Sequence, residues 1–236
     1  SDAMRQFIYA QGASKRVITM EWDKFWSTNK QVLEQKAHRY MGVAVPTAVP
    51  VTVSNFATPG VTELCQTDLH PQKPEMGARV MRRAEKILIE RDDTALFKEG
   101  DVITLLRWGN FSVEKMDKNA DGDVVGVTVS HRPDDTDFRK TKKITWLADT
   151  PDKITALLTE FDHLINKPKL EEEDDFADFL TPVTKAETEA HVDACLRLVP
   201  EGTVVQLERR GFYRVDRAHS VDAPAVLILV PDGRTK

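Results

Sequence analysis

The sequence predicts a mainly β fold of closed antiparallel β-barrels, preceded by a short helical segment. Beyond Lys36, many short stretches of alternating or β-branched residues are separated by turn residues, and few helical patterns interrupt them. Short strands at such a spacing are typical of closed antiparallel barrels. A chain of 236 residues is also more readily divided into two domains than folded as one.

Two helices are predicted near the start of the chain, at 5–10 and at 20–36. In the second helix, apolar residues recur at helical spacing and form one stripe, which contains Trp22, Phe25, Trp26, Val32 and Leu33. This stripe predicts that the aromatic side chains pack in a core and do not form a stacking surface for bases.

After Ala37 the pattern changes to the period of two that is typical of strands. Pro46 and Pro50 interrupt the β-branched positions of 43–53, which predicts an edge strand or a bulged strand. Residues 54–77 are rich in Pro, Thr and Gln, and predict an excursion or loop. Further strands are predicted at 79–90, 100–106, 111–113, 124–130, 143–147, 157–165, 204–216 and 225–230, with a short helix near 174–180.

One segment, 117–123, matches the first half of a calcium-binding helix-loop-helix motif. The position that should carry a bidentate glutamate is Thr128, and the predicted flanking elements are strands. We therefore predict a hairpin turn. The six histidines are scattered, and Cys65 and Cys195 lack metal-site spacing, so we expect free thiols, no metal site and no disulfide.

The segment 204–216 predicts a β-hairpin with a binding signal on it. Val205 and Leu207 would point to one face of a strand and Gln206 to the other, while Gly211 can take the positive φ of a tight connection. Arginines gather around this hairpin at positions 209, 210, 214 and 217. Glutamine suits a base edge and arginine suits a phosphate or a base, but an isolated hairpin of this composition would equally form a solvated sheet edge.

The charge balance limits the class of function. A net charge of −5 argues against indiscriminate binding to nucleic acid, but basic residues cluster at 79–91 and 138–143. The acidic run 171–175 is predicted to form the first turn of a helix. No apolar run is long enough to span a membrane and no secretion signal opens the chain, so we expect a cytoplasmic location and no membrane partner.

Several stretches occur together in one order along the chain. They are Met4-Arg5-Gln6-Phe7-Ile8 with Gln11-Gly12, Met20-Glu21-Trp22-Asp23-Lys24, Trp108-Gly109-Asn110, Lys140-Thr141-Lys142-Lys143 with Thr145-Trp146-Leu147-Ala148, Phe161-Asp162-His163-Leu164-Ile165, Gln206-Leu207-Glu208-Arg209-Arg210-Gly211 and Pro231-Asp232-Gly233. As a set they resemble the C-terminal anticodon-binding region of glutamyl-tRNA synthetases of the eukaryotic and archaeal type. This family includes the glutamyl half of bifunctional glutamyl-prolyl enzymes.

The resemblance implies a division of the chain. It places a helical remnant of the stem-contacting region at 1–37, a proximal anticodon-binding barrel at 38–96 and 167–236, and a distal barrel at 97–166. It implies glutamate tRNA, tRNA(Glu), as the partner. The parent would be a class I glutamate–tRNA ligase that uses ATP and Mg²⁺ on a separate catalytic domain. This chain carries neither a His-x-Gly-His nor a Lys-Met-Ser-Lys signature, so no catalytic residue and no cofactor are expected in it.

The resemblance also implies which residues contact the anticodon. By comparison with the sister glutaminyl-tRNA synthetases, the middle uridine would be bound by Arg39, Gln206 and Arg209, with His38 replacing the usual proline before Arg39. Arg107 is the basic residue near the positions that contact the outer bases. Contacts to phosphates are expected from basic residues that carry no sequence information, namely Arg139, Lys140, Lys142, Lys143 and Arg210.

Two other functions remain open at this point. One is a general RNA-binding barrel protein, which would have no need of the helix at 20–36 or of the Pro231-Asp232-Gly233 motif. The other is a scaffold module whose barrels dock other synthetases in a multisynthetase complex.

Overall fold

The computed structural model describes residues 2–13, 15, 17, 20 and 22–232. Glu21 and Gly233, which belong to two of the quoted motifs, lie outside these residues. The described part contains α1 (Asp2–Ala10) and α2 (Trp22–Glu34), and short 3₁₀ helices at Val45–Thr47, Pro74–Met76, Arg91–Leu96, Phe176–Phe179 and Ala194–Leu198. The strands are β1 (His38–Tyr40), β2 (Gly42–Ala44), β3 (Ala48–Val53), β4 (Glu63–Asp68), β5 (Ala78–Arg83), β6 (Lys86–Glu90), β7 (Val102–Leu105), β8 (Gly109–Lys118), β9 (Val124–Arg132), β10 (Lys142–Ile144), β11 (Trp146–Ala148), β12 (Ile154–Phe161), β13 (Lys185–Val192), β14 (Val204–Leu207), β15 (Gly211–Arg217) and β16 (Ala225–Val230).

Most strands belong to two seven-stranded sheets, each curled into a nearly closed barrel. The first barrel has the order β1-β14-β15-β16-β12-β13-β2, and the second has the order β10-β7-β8-β9-β3-β6-β11. In each, one bent segment supplies both edge strands: β1 and β2 are separated only by Met41, and β10 and β11 only by Thr145. A single bent segment therefore closes each barrel, which confirms the prediction of a mainly β fold with barrels.

The strand pairing corrects one part of that prediction, because the barrels are not purely antiparallel. Within the described residues, the pairs β1·β14 and β12·β16 of the first barrel are parallel, as are β10·β7 and β3·β9 of the second. Each parallel pair joins strands that are distant in the chain, which hairpins alone cannot do.

The pairing also divides the chain differently from the expected barrel boundaries. β3 and β6 lie within 38–96 but pair in the second barrel, because Val49, Val51 and Ile87 are buried in its core. β12 lies within 97–166 but pairs in the first barrel, where Ala156 and Leu158 are buried. A small apolar cluster of Val43, Leu88 and Leu147 lies between the two sheets.

Pro50 shows how a proline is accommodated in a strand that has two neighbours. It is exposed and pairs with Leu88 of β6, while the ladder to β9 begins only at Val51. At Pro50 the strand therefore has one neighbour, so the missing N–H leaves no gap in a second ladder.

The predicted excursion at 54–77 is only partly a loop. β4 lies within it and pairs along its whole length with β5 as a separate two-stranded ribbon. The predicted turn at 117–123 is confirmed, because β8 and β9 pair and the side-chain oxygen of Asn119 accepts the backbone N–H groups of Asp121 and Asp123. No cluster of His, Cys, Asp or Glu that could hold a metal ion is found among the described residues.

The two helices pack on each other, with the rings of Phe7 and Phe25 in edge contact at 5.5 Å. The prediction that the α2 aromatics form a core is wrong for Trp22, which is 64% exposed and stacks on Trp26 at 5.7 Å. None of the described residues of α2 is fully buried, because α1 covers only part of the apolar stripe. Neither helix in the described part of the chain is long and apolar enough to cross a membrane.

Candidate nucleic-acid interface

Arg39 and Gln206 are neighbours on the outer face of the first barrel. β1 runs parallel to β14, and the register pairs Arg39 with Gln206. The alternate residues Tyr40, Val205 and Leu207 are buried in the barrel core, so the pleat directs Arg39 and Gln206 outward together. The fold thus makes these two of the three residues predicted to bind the middle uridine neighbours on one face.

The Arg39 backbone is fixed on both sides. Its N–H donates to the carbonyl of Leu69 at 2.8 Å, and its carbonyl accepts from Nε of Arg79 at 3.1 Å. The Arg79 guanidinium also lies 5.4 Å from the Tyr40 ring. Burial raises the pKa of Tyr40 to about 12, an effect that Arg79 partly opposes, so this phenol stays neutral at physiological pH.

The Arg39 side chain is only partly satisfied. One terminal nitrogen pairs with Oε1 of Glu34, near the end of α2, at 2.5 Å. The same nitrogen, Nη2, lies 3.4 Å from Nε2 of His70. Because His70 Nδ1 accepts from the Gln72 N–H, Nε2 carries the ring proton and donates it to the Glu34 carbonyl at 2.8 Å. His70 therefore does not accept a hydrogen bond from Arg39. Arg39 Nε and Gln206 Oε1 are buried atoms with no hydrogen-bond partner among the described residues. These neighbouring residues therefore hold one donor and one acceptor that lack a partner and are shielded from solvent.

Arg209 lies at the tip of the β14–β15 hairpin and is held by a carboxylate. The connection is Glu208-Arg209-Arg210, and Arg209 adopts a left-handed backbone with φ 63°. Gly211, for which a positive φ was predicted, has φ 159°, so this hairpin has a positive φ at both Arg209 and Gly211. The two terminal nitrogens of Arg209 each donate to an oxygen of Asp93 at 2.6 Å, and Asp93 is only 6% exposed.

Arg210 is also paired across the barrel junction. It donates to Oε1 of Glu90 at 2.8 Å, and the same carboxylate accepts from the Ala44 N–H and the Thr47 hydroxyl. Arg210, predicted to contact a phosphate, thus links the first barrel to β6 of the second in this structure.

Arg107 occupies the equivalent turn of the second barrel, between β7 and β8, and has φ 64°. Its side chain lies between the barrels, where Nε donates to Glu208 at 2.7 Å and Nη1 donates to the Asp68 carbonyl at 2.7 Å. Asp68 is next to Leu69, the residue that accepts the Arg39 N–H. Arg107 is therefore brought near the Arg39 region, but with much of its donor capacity already used.

The basic segment at 139–143 is more available. Arg139, Lys140 and Lys142 are exposed, and their side chains have no ion-pair or hydrogen-bond partner in the described part of the chain. Lys143 differs, because its ammonium donates to the carbonyls of Phe138 and Thr141. Three of the four predicted phosphate contacts in this segment are thus free to bind.

The other basic cluster, at 79–91, is largely engaged within the protein. Arg79 forms a buried ion pair with Asp193, and Arg82 pairs with Asp152. Arg83 lies over the Trp108 ring at 5.4 Å and donates to the Arg107 carbonyl at 3.1 Å. These arginines connect parts of the fold, so the segment at 139–143 is the more accessible basic surface.

The two barrels share both strand order and a sequence repeat, which the sequence analysis missed. Residues recur after 102 positions, so that Glu99, Gly100, Val102, Leu105, Arg107, Gly109 and Val113 correspond to Glu201, Gly202, Val204, Leu207, Arg209, Gly211 and Val215. The hairpin registers agree with this offset, since Leu105 pairs with Gly109 as Leu207 pairs with Gly211. Comparing the chain with itself at this offset would have revealed the repeat.

The repeat identifies what corresponds to the Arg39 region in the second barrel. By register, Lys143 pairs with Thr104 as Arg39 pairs with Gln206. The Thr104 hydroxyl donates to Oδ1 of Asn110 at 2.6 Å and contacts the Thr141 hydroxyl at 2.5 Å. Asn110, fully buried, donates in turn to Asp135 and to the Asp137 carbonyl, each at 3.1 Å.

Comparison with known proteins agrees with this architecture. Two family models, both described as the anticodon-binding domain of class I (E and Q) tRNA synthetases, match residues 37–132 and 143–216, which together make up most of the chain. The chain belongs to this family. Each barrel of this anticodon-binding domain contributes strands to both matched spans.

The relatives of this domain are larger proteins. It is 36% identical along its whole length to a bifunctional glutamate/proline–tRNA ligase of Mus musculus, of which it covers 16%. It is 38% identical over 99% of its length to a probable cytoplasmic glutamate–tRNA ligase of Schizosaccharomyces pombe, and 36% identical over 99% to a cytoplasmic glutamate–tRNA ligase of Arabidopsis thaliana, covering 32% of each. The chain thus spans a third or less of these relatives.

Proposed function

We propose that this anticodon-binding domain recognises the anticodon of glutamate tRNA and serves a cytoplasmic glutamate–tRNA ligase that attaches glutamate to that RNA. ATP and Mg²⁺ would be used by the ligase elsewhere, and the domain itself would need no cofactor to bind RNA. The observation that carries the proposal is that the register neighbours Arg39 and Gln206 hold a donor, Nε, and an acceptor, Oε1, that have no partner among the described residues. Both atoms are shielded from solvent, so the two side chains would turn outward when a base binds.

A uridine fits this pair of atoms. An unstacked uridine presents two carbonyl acceptors on either side of one N–H donor on its Watson–Crick edge. Arg39 would donate to a carbonyl, and Gln206 Oε1 would accept the N–H. A cytosine held in the same position, with its exocyclic group at Arg39, would instead direct an amino group and a bare ring nitrogen at these atoms and leave both poorly paired, so discrimination requires that the base be held in place.

Backbone contacts would come from a separate surface. Arg139, Lys140 and Lys142 are exposed cations in one short segment, as expected of residues that neutralise phosphates without distinguishing sequence. Lys143, Arg210 and Arg107 would have to exchange internal partners for RNA before contributing.

The test compares two transcripts of glutamate tRNA that differ only in the middle anticodon base, U or C. The 236-residue chain should bind the U form more tightly by roughly fivefold to a hundredfold, because one base-edge contact contributes about 1–3 kcal/mol. Fluorescence anisotropy titrations at one fixed salt concentration give both dissociation constants. Equal constants for the two RNAs would overturn the proposal.

A protein partner, such as another synthetase or a scaffold protein, is a second candidate function. It is favoured by large apolar side chains exposed on the helices, since Tyr9 is 81% and Ile8 58% exposed, in addition to Trp22. A pull-down with and without ribonuclease separates direct protein partners from those bridged by RNA. Loss of all protein partners after ribonuclease treatment would exclude this second function.

A further inference from the structure

Arg209 is held in a different way from the other arginines of the predicted site. Both of its terminal nitrogens donate to Asp93 at 2.6 Å, whereas Arg39 and Arg210 each use one terminal nitrogen on a carboxylate. Asp93 comes from the 3₁₀ helix Arg91–Leu96 of the second barrel and is 6% exposed, so it is a rigid partner. The Arg209 side chain remains 36% exposed.

This bidentate pair determines which donors of Arg209 remain. A guanidinium has five N–H groups in a fixed planar arrangement, and an end-on carboxylate uses one from each terminal nitrogen. Nε–H and the outer N–H groups of the terminal nitrogens are left. Of these, Nε–H and the N–H group next to it point in the same direction, and this Nε edge is the remaining two-donor fork. The carboxylate also fixes the plane of the guanidinium and therefore the direction in which that fork points.

We propose that Asp93 is a positioning residue for recognition of the middle anticodon base. It holds Arg209 so that the Nε edge is presented to one carbonyl oxygen of a uridine, and it prevents the guanidinium from turning towards phosphates. The proposal rests on the proposed function, since it assigns the orientation of one of the arginines at that site. Asp93 acts through Arg209 and does not itself contact the RNA.

The consequence is a separation of affinity from discrimination. Without the Asp93 carboxylate, Arg209 keeps its charge and can bind any nearby phosphate, so overall affinity is retained. The fixed fork is lost, so preference for uridine decreases. A purely structural role for Asp93 would instead weaken binding of both RNAs by the same factor.

The test uses Asp93→Asn in the 236-residue chain, with the U and C transcripts described above. The dissociation constant for the U form should change by less than about threefold, while the ratio of the constants, C over U, falls by about fivefold or more, the lower end of a base-edge contact. These two results together require the C form to bind more tightly than it binds the wild-type chain, because the released Arg209 can pair with a phosphate of either RNA. Arg209→Lys, which keeps the charge but cannot form the fork, should give the same loss of ratio. Asp216→Asn is the matched control, because it removes one carboxylate that pairs with an arginine, Arg214, on the same hairpin.

The outcomes distinguish the two proposals. If the wild-type chain discriminates and Asp93→Asn discriminates equally well, the role of Asp93 is overturned and the proposed function stands, whatever the result for Arg209→Lys. If the wild-type chain does not discriminate, both are overturned. Should Asp93→Asn fail to fold by circular dichroism, Asp93→Glu takes its place, because it keeps the charge but displaces the carboxylate by one methylene; full discrimination by that variant would overturn the role of Asp93.

Discussion

The outer faces of the two barrels differ at positions that the fold makes equivalent. In the second barrel, Thr104 and Lys143 are enclosed in a hydrogen-bond network that includes Asn110 and the segment before β10. In the first barrel, the equivalent Gln206 and Arg39 retain one unpaired acceptor and one unpaired donor. The same backbone framework thus supports a satisfied polar network in one barrel and an unsatisfied pair in the other.

The cause of the difference lies in what covers each face. Asp135, Asp137 and Phe138 of the segment between β9 and β10 supply acceptors directly to Asn110 and Lys143. Before β1, the chain arrives from α2 instead, and Glu34 satisfies only one side of Arg39. Since buried polar groups without partners are costly, a pair left open at one of two equivalent places is a better candidate for ligand binding than the pair that is closed.

The largest expected effect is a loss of stability when the hydrogen-bond network of Thr104, Asn110 and Asp135 in the second barrel is broken. Asn110→Ala removes one of the hydrogen-bond partners of Thr104 and one of Asp135, leaves the Asp137 carbonyl without the Asn110 N–H, and opens a cavity at a fully buried position. We expect the free energy of unfolding, measured by urea denaturation, to fall by about 2–4 kcal/mol. The ratio of affinities for the U and C transcripts should remain that of the wild-type chain. A stable Asn110→Ala protein that had lost discrimination would reverse the assignment of the two faces.

The second largest expected effect is a loss of RNA affinity when the unpartnered pair Arg39 and Gln206 of the first barrel is changed. Gln206→Ala removes the free acceptor and should weaken binding of the U transcript by about 1–3 kcal/mol, with little change in binding of the C transcript. Its free energy of unfolding should change by less than about 0.5 kcal/mol, because the side chain is half-buried and its oxygen has no internal partner to lose. A large loss of stability with unchanged discrimination would contradict the comparison.

Arg209→Ala is a poorer probe of the same site. It would leave the buried Asp93 carboxylate without its cation. Because Arg209 is itself 36% exposed, the loss of stability should lie below the roughly 3–5 kcal/mol typical of a fully buried ion pair. Loss of binding by that variant could therefore reflect unfolding. For this reason Gln206→Ala and Arg209→Lys are the more informative substitutions.

Much of the fold could be predicted from local patterns. β16 matches the predicted strand at 225–230, and the turn at 117–123 was predicted from its glycine and aspartates. The helix predicted at 20–36 is present as α2, but the exposure of Trp22 was not predicted, because periodicity shows which residues share a face and not how much of that face is covered.

The errors arise from contacts that are distant in the chain. The parallel ladders and the assignment of β3 and β12 depend on which core their valines and leucines enter, and nothing local in the sequence specifies this. The pairing of Arg39 with Gln206 could be anticipated from the family resemblance. The Arg209–Asp93 pair could not, because its members are 116 residues apart and Asp93 belongs to no quoted motif.

The smallest expected effect on discrimination is at the basic segment before β10. Lys140→Ala with Lys142→Ala removes two exposed, unpaired cations and should weaken binding of the U and C transcripts by the same factor. Plots of log affinity against log salt concentration should become shallower by about one to two units. The matched control is Lys98→Ala with Lys118→Ala, which removes two lysines that are likewise exposed and have no ion-pair partner in the described part of the chain. Lys118 ends β8, about 30 Å along the strand from Gly109. If the control flattened the salt dependence as much as the test pair, the phosphates would be bound through general charge and not through the segment at 139–143.

A changed U-to-C ratio in the test pair would instead mean that base recognition extends onto the second barrel, and the contrast between the two faces would no longer hold.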